Sequence, residues 1–229
     1  MKTIRQLVTI LVILACAIPA AASRLETVKV ESESMHKQIN VSVVLPDSYG
    51  ARPLPVVYLL HGYGDNNLCG YLSYTNVRQY ADMFDVVLVI PDGGTNWYFD
   101  SPVDPTIRYE TFVSSELIKY IDKNYLTDAR RERRAVTGLS MGGHGALYLA
   151  IRHQDVFGAA GSMSGGVDFR PFPEKWDIKL RLGDQKTHKE NWDKNTVMAQ
   201  LPLLKDGALQ LIIDCGTEDF FFDVNVKLH

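Results

Sequence analysis

The chain has 229 residues, 46% of them hydrophobic and 22% charged, with a formal net charge of −3. That length supports one domain with a full-sized core. The near-even charge, with no basic stripe, argues against nucleic acid as a partner.

Residues 1–23 are the first informative segment. Lys2 and Arg5 precede an apolar run over residues 7–18, Pro19 breaks it, and Ala20, Ala21, Ala22 and Ser23 follow. A basic start, a short apolar stretch and small residues at its end make a secretory signal peptide, with cleavage near Ala22 or Ser23. The run is too short for a transmembrane span. Ile13, Leu14, Ala15 and Cys16 offer a competing reading, a lipoprotein signal with a lipid anchor at Cys16. The expected division is a signal peptide, residues 1–23, and one domain, residues 24–229, in a secreted or periplasmic protein. Export would permit a disulfide between Cys69 and Cys215. A small buried thiol at Cys215, at the end of an apolar strand, is the simpler reading. Neither cysteine stands in metal-ligand spacing, so no structural metal or cofactor is expected. The sequence leaves the oligomeric state open.

Residues 27–45 read as two strands around a turn near Ser34. Val28 and Val30, then Ile39, Val41 and Val43, alternate with polar residues, as antiparallel strands with one wet face do. The runs at 56–60, 86–90, 135–137 and 209–213 are continuously apolar, the pattern of parallel strands covered on both faces. Helical patterns lie between them. Val113, Leu117, Ile118 and Ile121 make an apolar stripe over residues 112–125, and residues 143–153 form a second, Ala- and Leu-rich helix. Arg130, Arg131, Arg133 and Arg134 read as a solvated turn ahead of a strand. Residues 168–205, with Pro171, Pro173, Trp176 and Trp192 among polar residues, form an excursion that serves either as a substrate lid or as an ordinary surface loop.

Gly138-Leu139-Ser140-Met141-Gly142 matches G-x-S-x-G, a cheap pattern alone. Here it follows an apolar strand and opens a helix, which is the context of a nucleophile elbow. The bend strains the backbone at the serine, and glycines on either side relieve the crowding. Ser140 is the expected nucleophile, at a helix N-terminus whose free N–H groups favour negative charge. Attack on a carbonyl creates an oxyanion that needs two donors. The Met141 N–H is one. The second comes from His61-Gly62-Tyr63-Gly64, the loop after residues 56–60, with the Tyr63 N–H preferred and Gly62 and Gly64 as alternatives. His61 reads as a brace for that loop, and His144, inside the elbow helix, as structural too.

The acid should follow a later strand. Asp214-Cys215-Gly216-Thr217-Glu218-Asp219 supplies that loop, with Asp219 as the acid, Asp214 at the strand end and Glu218 pointing elsewhere. The base should follow the acid. Only His229 does, on what reads as the start of a helix, so the catalytic histidine is expected beyond residue 229. His188, in the excursion, is the other candidate. Trp97 and Tyr98, after the strand at 86–90, are placed on the rim, either packing it or stacking on a sugar or an aromatic acyl group.

Together, Leu59-Leu60-His61-Gly62-Tyr63-Gly64-Asp65, Pro91-Asp92-Gly93-Gly94, Asn96-Trp97-Tyr98, Gly138-Leu139-Ser140-Met141-Gly142-Gly143-His144-Gly145-Ala146 and Cys215-Gly216-Thr217-Glu218-Asp219 resemble the esterase D family. That family includes S-formylglutathione hydrolases, tributyrin-type, feruloyl and acetylxylan esterases, and the mycolyltransferase antigens. The resemblance covers residues 27–229. It implies Ser140 as nucleophile, Asp219 as acid, and Met141 and Tyr63 as oxyanion donors. It also implies a histidine later than residue 229. The implied fold is an α/β-hydrolase: a mostly parallel central sheet with antiparallel N-terminal strands and helices on both faces, cut short before the last strand. The expected function is a secreted carboxylesterase acting on short-chain or polysaccharide-linked acetyl or feruloyl esters. The rivals are an acyltransferase of the mycolyl type and a scaffold that lacks the base.

Overall fold

The computed structural model describes residues 23–229. The expected signal peptide, apart from Ser23, and the expected lipid anchor at Cys16 fall outside the described residues. The strands are β1 (Arg24–Ser32), β2 (Lys37–Leu45), β3 (Val56–Leu60), β4 (Val87–Pro91), β5 (Arg134–Leu139), β6 (Ala159–Met163) and β7 (Gln210–Asp214). The helices are α1 (Tyr71–Tyr74), α2 (Val77–Phe84), α3 (Tyr109–Thr111), α4 (Leu117–Asn124), α5 (Met141–Arg152), α6 (Ile178–Leu182), α7 (Lys189–Lys194), α8 (Val197–Gln200) and α9 (Phe222–Leu228). A π-helical turn, Phe112–Glu116, joins α3 to α4.

The strands form one sheet in the order β1-β2-β4-β3-β5-β6-β7. The alternating N-terminal segment is the antiparallel hairpin β1–β2, with Arg24 opposite Leu45 and Ser32 opposite Lys37. β2 also runs antiparallel to β4. From β4 onward the neighbours are parallel. The continuously apolar strands sit where both faces are covered. Tyr58 and Leu60 of β3 pack on one side with Leu117, Ile121, Leu147 and Ile151 of α4 and α5. Leu59 of β3 packs on the other with Val77 and Ala81 of α2.

The second face is covered only over half its width. Across β5, β6 and β7 it carries an open groove of about 390 Å³ lined by Ala135, Thr137, Ala159, Gly161 and Ile212. This corrects two expectations. Residues 135–137 are buried on one face only, at Val136. The strand expected at 209–213 is β7, Gln210–Asp214, which is exposed throughout because it lies at the sheet edge. An apolar run records what a strand needs covered but not what covers it. An exposed edge of this kind is a template for pairing. The 229-residue chain is expected to self-associate as its concentration rises, and Ile212→Lys, at a residue 75% exposed, should shift it toward monomer. Sedimentation velocity would read this, and an unchanged size distribution in the variant would contradict it.

The arginine cluster is also corrected in part. Arg134 is buried and pairs with Asp122 at 2.6 Å. Arg131 reaches the Phe157 carbonyl at 3.2 Å. These two tie the turn before β5 to its surroundings instead of lying in water. Cys69 is exposed, Cys215 is half-buried, and both are free thiols. The excursion over 168–205 is a packed cap: its own Phe169, Ile178, Leu182, Trp192 and Val197 are fully buried.

Candidate active site

β5 turns into α5 at Ser140, whose backbone is left-handed with φ 57 and ψ −111. Sterics explain the flanking glycines. A Cβ on Gly138 would lie 2.5 Å from the Leu60 carbonyl oxygen, and one on Gly142 would lie 1.9 Å from the same atom. The end of β3 therefore presses against both sides of the bend. The strained serine is held by backbone hydrogen bonds. Its N–H donates to the Met163 carbonyl at 2.9 Å, and its carbonyl accepts from the His144 and Gly166 amides at 3.0 and 3.2 Å. Its hydroxyl has no protein hydrogen-bond partner among the described residues.

The two expected donors lie on either side of this bend. Met141 is the first residue of α5, so its amide has no acceptor within the helix, and no loop or side-chain bond among the described residues takes it up. The 61–64 loop packs directly on the nucleophile, since a Cβ on Gly62 would sit 3.8 Å from the Ser140 Cβ. The Tyr63 amide is likewise free among the described residues. His61 is buried and braces the loop: its Nδ1 bonds the Gly62 carbonyl at 2.8 Å, and its Nε2 accepts from the Gly93 amide at 2.8 Å. That pairing fixes a neutral ring with the proton on Nδ1, which suits a strut rather than a base.

Asp219 lies in the turn between β7 and α9. Its N–H donates to the Gly216 carbonyl at 3.0 Å, and its Oδ1 accepts from the Phe221 amide at 2.7 Å. The second carboxylate oxygen has no hydrogen-bond partner among the described residues. Asp214 ends β7, and Glu218 is exposed. Among the described residues no histidine hydrogen-bonds to Ser140 or Asp219. His36 lies in the β1–β2 turn, His153 pairs with Glu110 at 2.9 Å, His188 bonds the Thr187 hydroxyl at 2.9 Å, and His229 follows α9 with its amide on the Asn225 carbonyl.

Trp97 and Tyr98 are consecutive left-handed residues, φ 56 and 59, and both rings are fully buried. The expectation of a stacking face there is corrected. The left-handed pair turns the rings inward, where Tyr98 donates to the His61 carbonyl at 3.2 Å and fills the space beside Gly93 and Gly145, at which a Cβ would meet the ring at 2.5 and 2.6 Å. The exposed aromatic near Asp219 is Phe220, stacked on Trp176 at 5.4 Å. Strained backbone costs on the order of 1–3 kcal/mol per residue and gathers at functional sites. Here Ser140, Trp97, Tyr98, Ser164, Trp176 and Asp177 all adopt it.

Behind the nucleophile, His144 is fully buried in a cage of Trp97, Phe99, Tyr148 and Phe169. Neither ring nitrogen makes a well-formed hydrogen bond. Burial pulls its ionisation down to about 3, with the nearby Gly166 backbone only partly opposing this. The folded protein thus refuses a proton that the unfolded chain accepts near 6.5. Stability should be flat above that value and fall as pH drops from there towards about 3, by roughly 4–5 kcal/mol in all. Urea midpoints at pH 8, 6 and 5 would show the decline, and His144→Gln should flatten it. An equally steep decline in the variant would contradict this assignment.

A cavity of about 170 Å³ lies beside Gly62 of the 61–64 loop and Leu139, the residue before Ser140, and is also lined by Asp65, Tyr71, Tyr74 and Thr75. Among the described residues no group of three or more His, Cys, Asp or Glu is placed to hold a metal ion. Nor is any described helix long and apolar enough to cross a membrane.

A family described as "Putative esterase" matches residues 32–228. The chain belongs to that family. Among curated relatives, the chain is 36% identical over 135 residues to Esterase Rv1288 of Mycobacterium tuberculosis, spanning 57% of the chain and 30% of that relative. It is 30% identical over 210 residues to the diacylglycerol acyltransferase/mycolyltransferase Ag85B of Mycobacterium leprae, spanning 83% of the chain and 62% of the relative. The chain thus spans less than two-thirds of the length of these relatives. Among solved structures it resembles a ferulic acid esterase, with 27% identity, a TM-score of 0.76, and 90% of this chain and 83% of that chain covered. The seven-stranded, mostly parallel sheet with its helices is an α/β-hydrolase fold.

Proposed function

We propose that this family member is a secreted carboxylesterase that works through an acyl-enzyme on Ser140. The observation that carries the reading is the left-handed Ser140 at the β5–α5 bend, with the Gly62 loop packed against its side chain. In this reading the Ser140 Oγ attacks the ester carbonyl and its proton passes to a histidine. The oxyanion is held by the Met141 and Tyr63 amides. The histidine then protonates the departing alcohol, and water releases the acid by the reverse sequence. Asp219, with one carboxylate oxygen free, orients the histidine and stabilises its charged form. That histidine comes after Asp219 in chain order, and none of the six described above is placed to serve. The basic, then apolar, then small-residue order of residues 1–23 supports export.

The small cavity beside Gly62 and Leu139 supports a short acyl group, since pockets for drug-sized ligands run to about 300–1,000 Å³. Acetyl esters on a polysaccharide are the preferred substrate, with feruloyl esters next by likeness to the ferulic acid esterase. A panel of p-nitrophenyl acetate, p-nitrophenyl butyrate and methyl ferulate tests this. The acetate should give the highest kcat/KM, and hydrolysis of none of the three would sink the reading. The likeness to a mycolyltransferase favours one second reading, transfer to a sugar alcohol. Turnover that rises when an acceptor alcohol is added would select it.

A further inference from the structure

The packed cap over residues 168–205 reaches the active site through one dipeptide. Trp176 and Asp177 precede α6 and are both left-handed, φ 53 and 54. Neither is glycine, so their surroundings must hold them in that shape. Three contacts do so. The Trp97 indole N–H donates to the Trp176 carbonyl at 3.1 Å. The Trp176 ring stacks on Phe220, next to Asp219, at 5.4 Å. The Tyr63 hydroxyl donates to Asp177 Oδ2 at 2.8 Å. The dipeptide therefore touches the rim loop, the acid loop and the oxyanion loop at once. Its far side is anchored, because Ile178 and Leu182 of α6 are fully buried and the Ser101 hydroxyl donates to the Arg181 carbonyl at 2.6 Å.

The oxyanion loop needs such a hold. Tyr63 lies between Gly62 and a left-handed Gly64 with φ 83. The one backbone bond across the loop, from the Asp65 amide to the Gly62 carbonyl, is long at 3.3 Å. The Tyr63 side chain is only half-buried, so packing alone does not fix it. A hydrogen bond to a charged acceptor is stronger and more directional than one between neutral groups. Resting on the esterase reading, we propose that Asp177 is a positioning residue that holds Tyr63 by its hydroxyl and so keeps the Tyr63 amide aimed at the oxyanion. Donating to this carboxylate also pushes the Tyr63 phenol above its ordinary value.

The test is a cycle of Tyr63→Phe, Asp177→Ala and the double variant, with Asp177→Asn as the conservative change, all in a protein that carries the histidine the mechanism needs. Loss of an oxyanion donor costs about 10²–10³ in kcat, so a misaimed donor should cost about 3- to 30-fold. Tyr63→Phe and Asp177→Ala should each lower kcat for p-nitrophenyl acetate by that much, with KM nearly unmoved. The double variant should be no worse than either, and Asp177→Asn, which keeps an acceptor oxygen, should recover most of the rate. Independently of turnover, the Tyr63 phenol followed by ¹³C NMR should titrate at lower pH in Asp177→Ala. Wild-type kcat in Asp177→Ala, losses that multiply, an effect on KM alone, or an unmoved Tyr63 titration would each overturn the proposal. Failure of the wild-type protein to react with a fluorophosphonate would instead count against the esterase reading, while the Tyr63 titration would still report on the contact.

Discussion

In a protein that carries the histidine this mechanism needs, replacing Ser140 with alanine is expected to lower kcat/KM for p-nitrophenyl acetate by about 10⁴-fold or more, the scale seen when a serine nucleophile is removed. The fold should barely notice. The residue keeps its left-handed backbone, which alanine tolerates no worse than serine, and the hydroxyl has no hydrogen-bond partner among the described residues to lose. Stability should stay within about 1 kcal/mol of the parent. Ester hydrolysis and a thermal melt on the same preparation check both halves. A variant that stays folded and keeps its turnover would move the chemistry to another residue.

The second large effect is structural. Gly142→Ala should destabilise the protein by at least about 3 kcal/mol, since overpacking against rigid atoms is among the few single changes that cost so much. The added methyl would sit 1.9 Å from the Leu60 carbonyl oxygen and 2.9 Å from that of His61. Those atoms are backbone at the end of a central strand, so no side chain can swing aside. Gly62→Ala is the matched control. Its methyl would meet nothing closer than 3.5 Å, and its melting temperature should change little. Equal melts for the two variants would mean that the bend is looser than described here.

The parts of this architecture that could be read from sequence are those whose side chains carry their own signal. β1 and the first half of β2 alternate because one side faces the core. Over residues 41–45 both sides of β2 are buried, with Val44 against Val77 and Ala81, so the expected wet face is absent there. β3 and β4 are apolar throughout because both of their sides are covered. The elbow was legible because only glycine fits at 138 and 142. The bracing role of His61 followed from its place at the head of a loop. β6 was not foreseen. Its Ala-Ala-Gly-Ser-Met sequence lacks the β-branched and aromatic residues that mark strands, and its smallness has a local cause: a Cβ on Gly161 would lie 2.5 Å from the Thr137 hydroxyl oxygen on the neighbouring strand.

Trp97 and Tyr98 misled for a related reason. Aromatic residues after a strand suggest a rim, and their inward turn depends on two positive φ angles that residue type does not announce. Asp177 carried no signal at all, because its partner Tyr63 is 114 positions away. The pairing of His153 with Glu110 likewise could be settled only in three dimensions.

The proposed chemistry requires a reactive hydroxyl at Ser140, and covalent labelling addresses that most directly. Incubation with a fluorophosphonate, followed by peptide mass mapping, should give one adduct per chain, on Ser140, and none in Ser140→Ala. An unmodified wild-type protein, or an adduct that persists in the variant, would contradict the assignment.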